Sequence, residues 1–221
     1  MIELLEVTVR TLLVSGIGLL LSSIISIPLG LLIVEKRLRL AARIAESLIG
    51  IPTVLIGLSL YLLLSHRGPL GFTHLLYTPI AISIGEAVLV TPIYIALLVK
   101  GLEDRYYPLL EALKGLGVQE LRARLRALKE STSTIISASI AAYSRAIGEL
   151  GVALLVGGNI RGYTRTLATS ISLHVSMGEY DEALIEGLAL TAILATLGIA
   201  GWVASRLYEG LSTSKHCVRL S

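Results

Sequence analysis

Cysteine is nearly missing from this 221-residue chain: Cys217 stands alone near the C-terminus, which excludes an intramolecular disulfide framework. Charge is scarce as well. Asp, Glu, Lys and Arg make up 16% of residues, against roughly a quarter in average globular domains. No GxxxxGK[ST] phosphate loop occurs, so the chain is not expected to hydrolyse ATP itself. His66, His74, His174 and His216 are scattered without metal-ligand spacing, and no cofactor or metal is expected. An intramembrane enzyme would need Asp, Glu, His or Cys clustered at a membrane face, and no such cluster appears. The opening MIELLEVT carries Glu3 and Glu6 before any basic residue, and no A-x-A site follows the apolar run, so a secretory signal peptide is not expected. Nothing points to nucleic acid.

What is abundant is apolar surface. Hydrophobic residues reach 54% and mean hydropathy is +0.79, which is a composition for lipid. A membrane span needs about 20 mostly apolar residues. Five stretches qualify: 9–34, 44–65, 79–99, 131–156 and 183–207. The expectation is an all-α polytopic bundle of about five transmembrane helices, one membrane domain over 1–221. Pro28, Pro52 and Pro92 lie inside spans, where bundle packing can re-satisfy the backbone groups they free. Ser22, Ser26 and Gly30 form a small-xxx-small row suited to close helix contact. Five spans put the termini on opposite sides. Fourteen basic residues fall on one side, in the 35–43 loop, the 100–130 insert and the tail with Arg206, Lys215 and Arg219. Arg10, Arg67, Arg161 and Arg165 are the four on the other. The skew makes the richer side cytoplasmic, with the N-terminus outside and the C-terminus inside.

The 101–130 insert is charged and helical in pattern. DRYYPLLEALKGLG and VQELRARLRALKE read as two short helices meeting near Gly115 and Gly117. Leu109, Leu110 and Leu113 make an apolar stripe on the first, and Leu121, Leu125 and Leu128 one on the second. Such a helix can lie along a membrane or dock into a groove on a partner. Glu111-Ala112, with Gly117 six residues after Glu111, resembles the EAA loop of ABC-transporter permeases of the binding-protein-dependent importer class. Two departures stand out: Leu113 replaces the third-position Ala, and Leu128-Lys129-Glu130 replaces the later Leu-Pro. Residues 51–71 resemble a core span and outer loop of oxyanion permeases. SRAIGELGVALLVGGNIRGYTRTLATSIS, 144–172, is similar to the gate segment of molybdate, sulfate and tungstate permeases. SMGEYDEAL, 176–184, and the missing Leu-Pro look most like the tungstate branch.

That resemblance implies a homodimer, with two ATPase subunits in the cytoplasm and a substrate-binding protein outside. Glu111, Ala112, Gly115 and Gly117 would then carry the coupling to the ATPase. Alternating access would move an oxyanion, most nearly tungstate, with molybdate or sulfate as alternatives. A structural scaffold is the rival from another class, and the in-membrane charges argue against it.

Arg145 and Glu149 fall about 20 Å into the fourth span, at 1.5 Å per residue from Ser131, and share a helix face. Charges there cost several kcal/mol unless paired or wetted. Two readings stand: a self-contained ion pair that orients the helix, or a pathway-facing pair in which Glu149 keeps Arg145 from trapping the anion. Gly157, Gly158 and Asn159 follow. They are either a helix C-cap or, as the resemblance implies, an external gate. Beyond them Arg161, Thr164, Arg165 and Thr166 could contact the anion or dock the binding protein, docking being the favoured reading. Glu86 is expected to face the bundle and pair with a polar neighbour, and Glu46 to pair with a basic loop residue.

Overall fold

The computed structural model describes the backbone of residues 2–217 and the side chains of residues 3–206. The side chains of Lys215, His216 and Cys217, and the whole of Arg219, lie outside the described residues. The helices are α1 (Ile2–Glu35), α2 (Arg39–Leu48), α3 (Thr53–Leu64), α4 (Pro79–Gly115), α5 (Glu120–Glu130), α6 (Thr132–Ile147), α7 (Gly151–Gly157), α8 (Leu167–Met177) and α9 (Tyr180–Cys217), with a 3-10 turn at Gly71–Thr73. No strand occurs among the described residues.

Among the described residues three helices are long and apolar enough to cross a membrane: α1, α4 and α9. Two bent pairs complete the set. The α2–α3 pair turns by 91° and the α6–α7 pair by 58°, giving five spans if each pair counts as one. The second expected span, 44–65, is therefore not one straight helix. Gly50 and Pro52 explain the corner: the proline ring removes a donor and biases Ile51 away from helical backbone. By contrast Pro28, Pro92 and Pro108 are accommodated within continuous helices. The insert also differs from expectation. Its first half is no separate helix but the end of the 37-residue α4.

Packing centres on α1 against α4. Ile33, Val34, Val90, Tyr94, Leu98 and Leu102 are buried in one cluster that extends to Tyr106 and Leu110. Val14, Ile82, Val152 and Val156 form a second cluster near the other end. Small residues bring the two long helices together. Ser22 Oγ lies 3.0 Å from Thr91 Oγ1 and 3.2 Å from Ser26 Oγ, while a Cβ on Gly30 would stand 3.3 Å from Leu98 Cβ. The short halves of the bent pairs meet through glycine too. A Cβ on Gly57 of α3 would lie 3.1 Å from the Gly151 carbonyl oxygen of α7. The outermost long helix, α9, packs mainly on α6 and α8. It leaves Leu184, Ile185, Leu188, Ile199 and Trp202 uncovered, a face that only lipid or another chain can satisfy.

Candidate functional site

The singled-out residues gather at three levels along the helices. At the corner between α6 and α7, Arg145 Nη1 donates to Glu149 Oε2 at 2.7 Å. The two do not lie on one uninterrupted helix. Arg145 is in the last turn of α6, whereas Glu149 sits in the break and accepts at 3.3 Å from the Val152 amide of α7. A carboxylate there satisfies one of the amides that a helix start leaves without a partner. The pair thus ties the two halves of a bent span together. Glu149 is 3% exposed but the Arg145 side chain is 38% exposed, so the guanidinium reaches outward from the buried carboxylate.

Beneath this corner Glu86 is fully buried on α4, against Gly18 of α1, where a Cβ would come within 3.2 Å of its Oε2. Its polar neighbour is Ser15 of α1, although Glu86 Oε2 and Ser15 Oγ, both buried, make no hydrogen bond among the described residues.

The second level is the loop from α7 to α8. Gly158 adopts φ +71° and Asn159 φ +50°, so the chain reverses through two left-handed residues. Gly158 closes α7, its amide donating to the Leu154 carbonyl at 3.1 Å, and a Cβ on it would stand 2.7 Å from Tyr77 Cδ1. Asn159 Oδ1 accepts from Arg165 Nε at 3.2 Å, and its Nδ2 donates to the Thr169 carbonyl at 3.3 Å. Thr164 and Thr166 are buried, and their hydroxyls serve the loop itself. Thr164 donates to the Gly157 carbonyl at 2.6 Å, and Thr166 caps α8 in a reciprocal pair with Thr169. Neither hydroxyl is presented outward in this conformation. The two arginines also separate. Arg165 is 12% exposed and holds Glu3 Oε1 at 3.3 Å, whereas Arg161 is 74% exposed and meets Glu3 Oε2 at 2.5 Å. Arg10 Nη1 donates to the Arg165 carbonyl at 3.2 Å, and the Leu167 amide to Thr11 Oγ1 at 2.9 Å. The start of α1 is thereby strapped to the loop.

The third level is the turn between α4 and α5. Gly117 adopts φ +75°, its amide donates to the Lys114 carbonyl at 2.9 Å, and the Val118 amide donates to the Leu113 carbonyl at 3.1 Å. This is the Schellman helix stop, and it explains why glycine stands six residues after Glu111. Gly115 has open space around it, and Glu111 is exposed with Lys114 at 3.8 Å. The expected stripes divide. Leu110 is buried and Leu109 and Leu113 pack on the core, while Leu116, Leu121 and Leu125 stand exposed as a ridge. The ridge is anchored to α1: Arg124 Nη2 meets Glu35 Oε2 at 3.0 Å, and the Tyr106 hydroxyl donates to Glu35 Oε1.

Several of these residues were not singled out from the sequence. Glu3, Arg10 and Glu35 act across more than 70 positions of chain, beyond any local pattern. Glu186 of α9 did carry a signal, being an acid inside an apolar run. It accepts from Ser170 Oγ at 2.7 Å and lies 3.0 Å from His174 Nδ1, fastening α8 to α9.

The strapped loop and the α4–α5 turn sit at the two ends of α1. Glu3 and Glu35 are 32 residues apart, about 48 Å of helix, which exceeds the ~30 Å hydrocarbon core. The chain is thus a multi-pass membrane protein with a polar device on each face and an ion pair at a bend between them. No family model matches it. It is 38% identical to the tungstate uptake system permease protein TupB of Peptoclostridium acidaminophilum over 81% of this chain and 80% of that protein. It is 38% identical to the TupB of Campylobacter jejuni over 72% of this chain and 66% of that one. A probable anion ABC transporter permease protein of Haloferax volcanii matches at 31% over 88% of this chain and 85% of its own length. The chain belongs to the family of ABC-transporter permeases that these proteins represent.

Proposed function

We propose that this chain is the membrane permease subunit of an ABC importer whose cargo is tungstate. The observation that carries the cargo is the 38% identity to a tungstate uptake permease over four-fifths of both chains. Residues 1–221 act as one permease unit, two copies of which enclose the pathway. A separate ATPase dimer docks on the cytoplasmic face against the exposed Leu116, Leu121 and Leu125 ridge, and a substrate-binding protein docks on the outer face. The basic skew of the loops supports an outer N-terminus and an inner C-terminus.

Geometry supports roles for the three levels. ATP binding closes the ATPase pair and pulls on the Gly117 turn, which Glu35 links to α1 through Arg124. The α6–α7 corner, pinned by Arg145 and Glu149, is where the bent span flexes. A half-exposed guanidinium within a span needs water or a second copy rather than lipid, which favours a pathway-facing Arg145. The Gly157–Asn159 reversal serves as the outer gate, and Arg161 is the docking residue, its Glu3 partner exchanging for a carboxylate of the binding protein. Arg165, Thr164 and Thr166 hold the gate loop in shape.

Calorimetry on the binding protein that works with this permease tests the cargo. Tight binding of tungstate in preference to molybdate and sulfate is expected. A preference for sulfate would contradict the cargo and leave the permease assignment standing.

A further inference from the structure

The corner where α1 turns into α2 carries chemistry that transport leaves unused. At 100° per residue α2 divides into three sectors. Ala41 and Ala45 face α4, Ala45 being buried; Leu40, Ile44 and Leu48 stand exposed on a second; Arg39, Arg43 and Glu46 occupy a third. Helix α2 meets α3 at 91°, so an α3 that enters the membrane leaves α2 lying along its surface. Depth agrees. Tyr107, beside this corner, is 28 residues after Pro79, about 42 Å along α4 and past a hydrocarbon core of ~30 Å. The exposed leucines and isoleucine then reach the acyl chains while the arginines stay at headgroup level.

Between α2, the end of α1 and α4 lies an open cavity of about 510 Å³, lined among others by Arg37, Arg39, Arg43, Glu46, Glu103 and Tyr107. Arg37 takes a left-handed backbone, φ +51°, and is fixed there by its Nε donating to Tyr107 Oη at 3.1 Å with the guanidinium 4.7 Å from the ring centre. Arg39 and Arg43 have no ion pair among the described residues, and the ion pair expected for Glu46 is likewise not made. A cavity that gathers three guanidiniums and two carboxylates, none paired with another, matches a ligand bearing both signs.

We propose that this cavity binds the headgroup of a membrane aminophospholipid, with the phosphodiester on Arg39 and Arg43 and the primary ammonium on Glu46 and Glu103. Charge complementarity selects this occupant. The two carboxylates repel a free dianion and would lack a partner under a purely anionic headgroup, while the apolar sector of α2 calls for acyl chains. Bound there, the lipid would brace the corner from which α3 enters the membrane.

The test is native mass spectrometry of the full-length chain released from phosphatidylcholine nanodiscs doped with phosphatidylethanolamine or phosphatidylglycerol, with inorganic phosphate as competitor. Phosphatidylethanolamine should be retained over the other two and not be displaced by phosphate. The pair Arg39→Ala and Arg43→Ala, both exposed, should weaken retention roughly thirty-fold. Glu46→Gln with Glu103→Gln should invert the preference toward phosphatidylglycerol, a change that loss of folding cannot produce. Equal retention of all lipids, displacement by phosphate, or retention unaltered in the arginine variants would each overturn the proposal, the last pointing to a protein partner at this corner.

Discussion

Arg145 and Glu149 tie α6 to α7, and the proposed pathway role of Arg145 can be separated from that packing role. Removing Arg145 leaves a carboxylate that is 3% exposed without its counter-charge. Breaking a fully buried pair costs about 3–5 kcal/mol, and the half-exposed guanidinium places this one lower, at about 2–3 kcal/mol. Arg145→Ala should therefore lower the melting temperature, and Arg145→Ala with Glu149→Ala should recover most of the loss. Uptake separates the roles: a pathway-facing Arg145 keeps uptake low in the double variant although stability returns, whereas full recovery of uptake would make the pair structural. At the start of α1, Glu3→Gln removes both ion pairs from the α7–α8 loop. Affinity for the binding protein should rise about threefold at low salt and the gain should vanish at high salt, since an exposed pair is weak and screened. Unchanged affinity at low salt would mean that Glu3 does not compete with the binding protein for Arg161.

Under the proposed function coupling depends on the α4–α5 turn, and the two faces of this element are unlike. The inner face, with Leu110 and Ala123 buried, holds the fold together; the outer one, with Leu121 and Leu125, contributes nothing within the chain. Leu121→Asp with Leu125→Asp should leave the melting temperature nearly unchanged, because exposed substitutions stay within about 0.5 kcal/mol. Co-purification of the ATPase should be lost. An ATPase that still co-purifies would move the docking surface elsewhere. Much of this element was legible in the sequence, since Gly117 marks a helix stop and the leucine spacing marks a ridge. Which leucines face outward was not, because both stripes have the same period and only the partner helices distinguish them. The bend at Pro52 was half legible: the proline was visible, but apolar composition alone cannot separate a straight span from a right-angled pair. Thr164 and Thr166 had the chemistry of an anion contact, and only the folded loop reveals that their hydroxyls are spent on Gly157 and Thr169.

At the level of the whole molecule, α1 acts as a rod between the two faces. It straps the α7–α8 loop at Glu3 and holds α5 at Glu35, so one continuous helix joins the two polar ends. The long spans α1, α4 and α9 were legible because an apolar run of about 20 residues matches the thickness of the hydrocarbon core and is longer than most buried core helices need. The links at the two ends of α1 were not, since Glu3–Arg161 and Glu35–Arg124 join residues far apart in sequence and carry no periodic signal. The uncovered face of α9 is satisfied within the membrane by lipid or by the second copy that the proposed dimer supplies. The most direct measurement is ATP-driven uptake of labelled tungstate into proteoliposomes containing this permease, its ATPase and its binding protein. The permease assignment predicts uptake that requires all three components and is outcompeted by unlabelled tungstate well before sulfate. Tungstate accumulation that is independent of ATP, or absent while sulfate is accumulated, would contradict it.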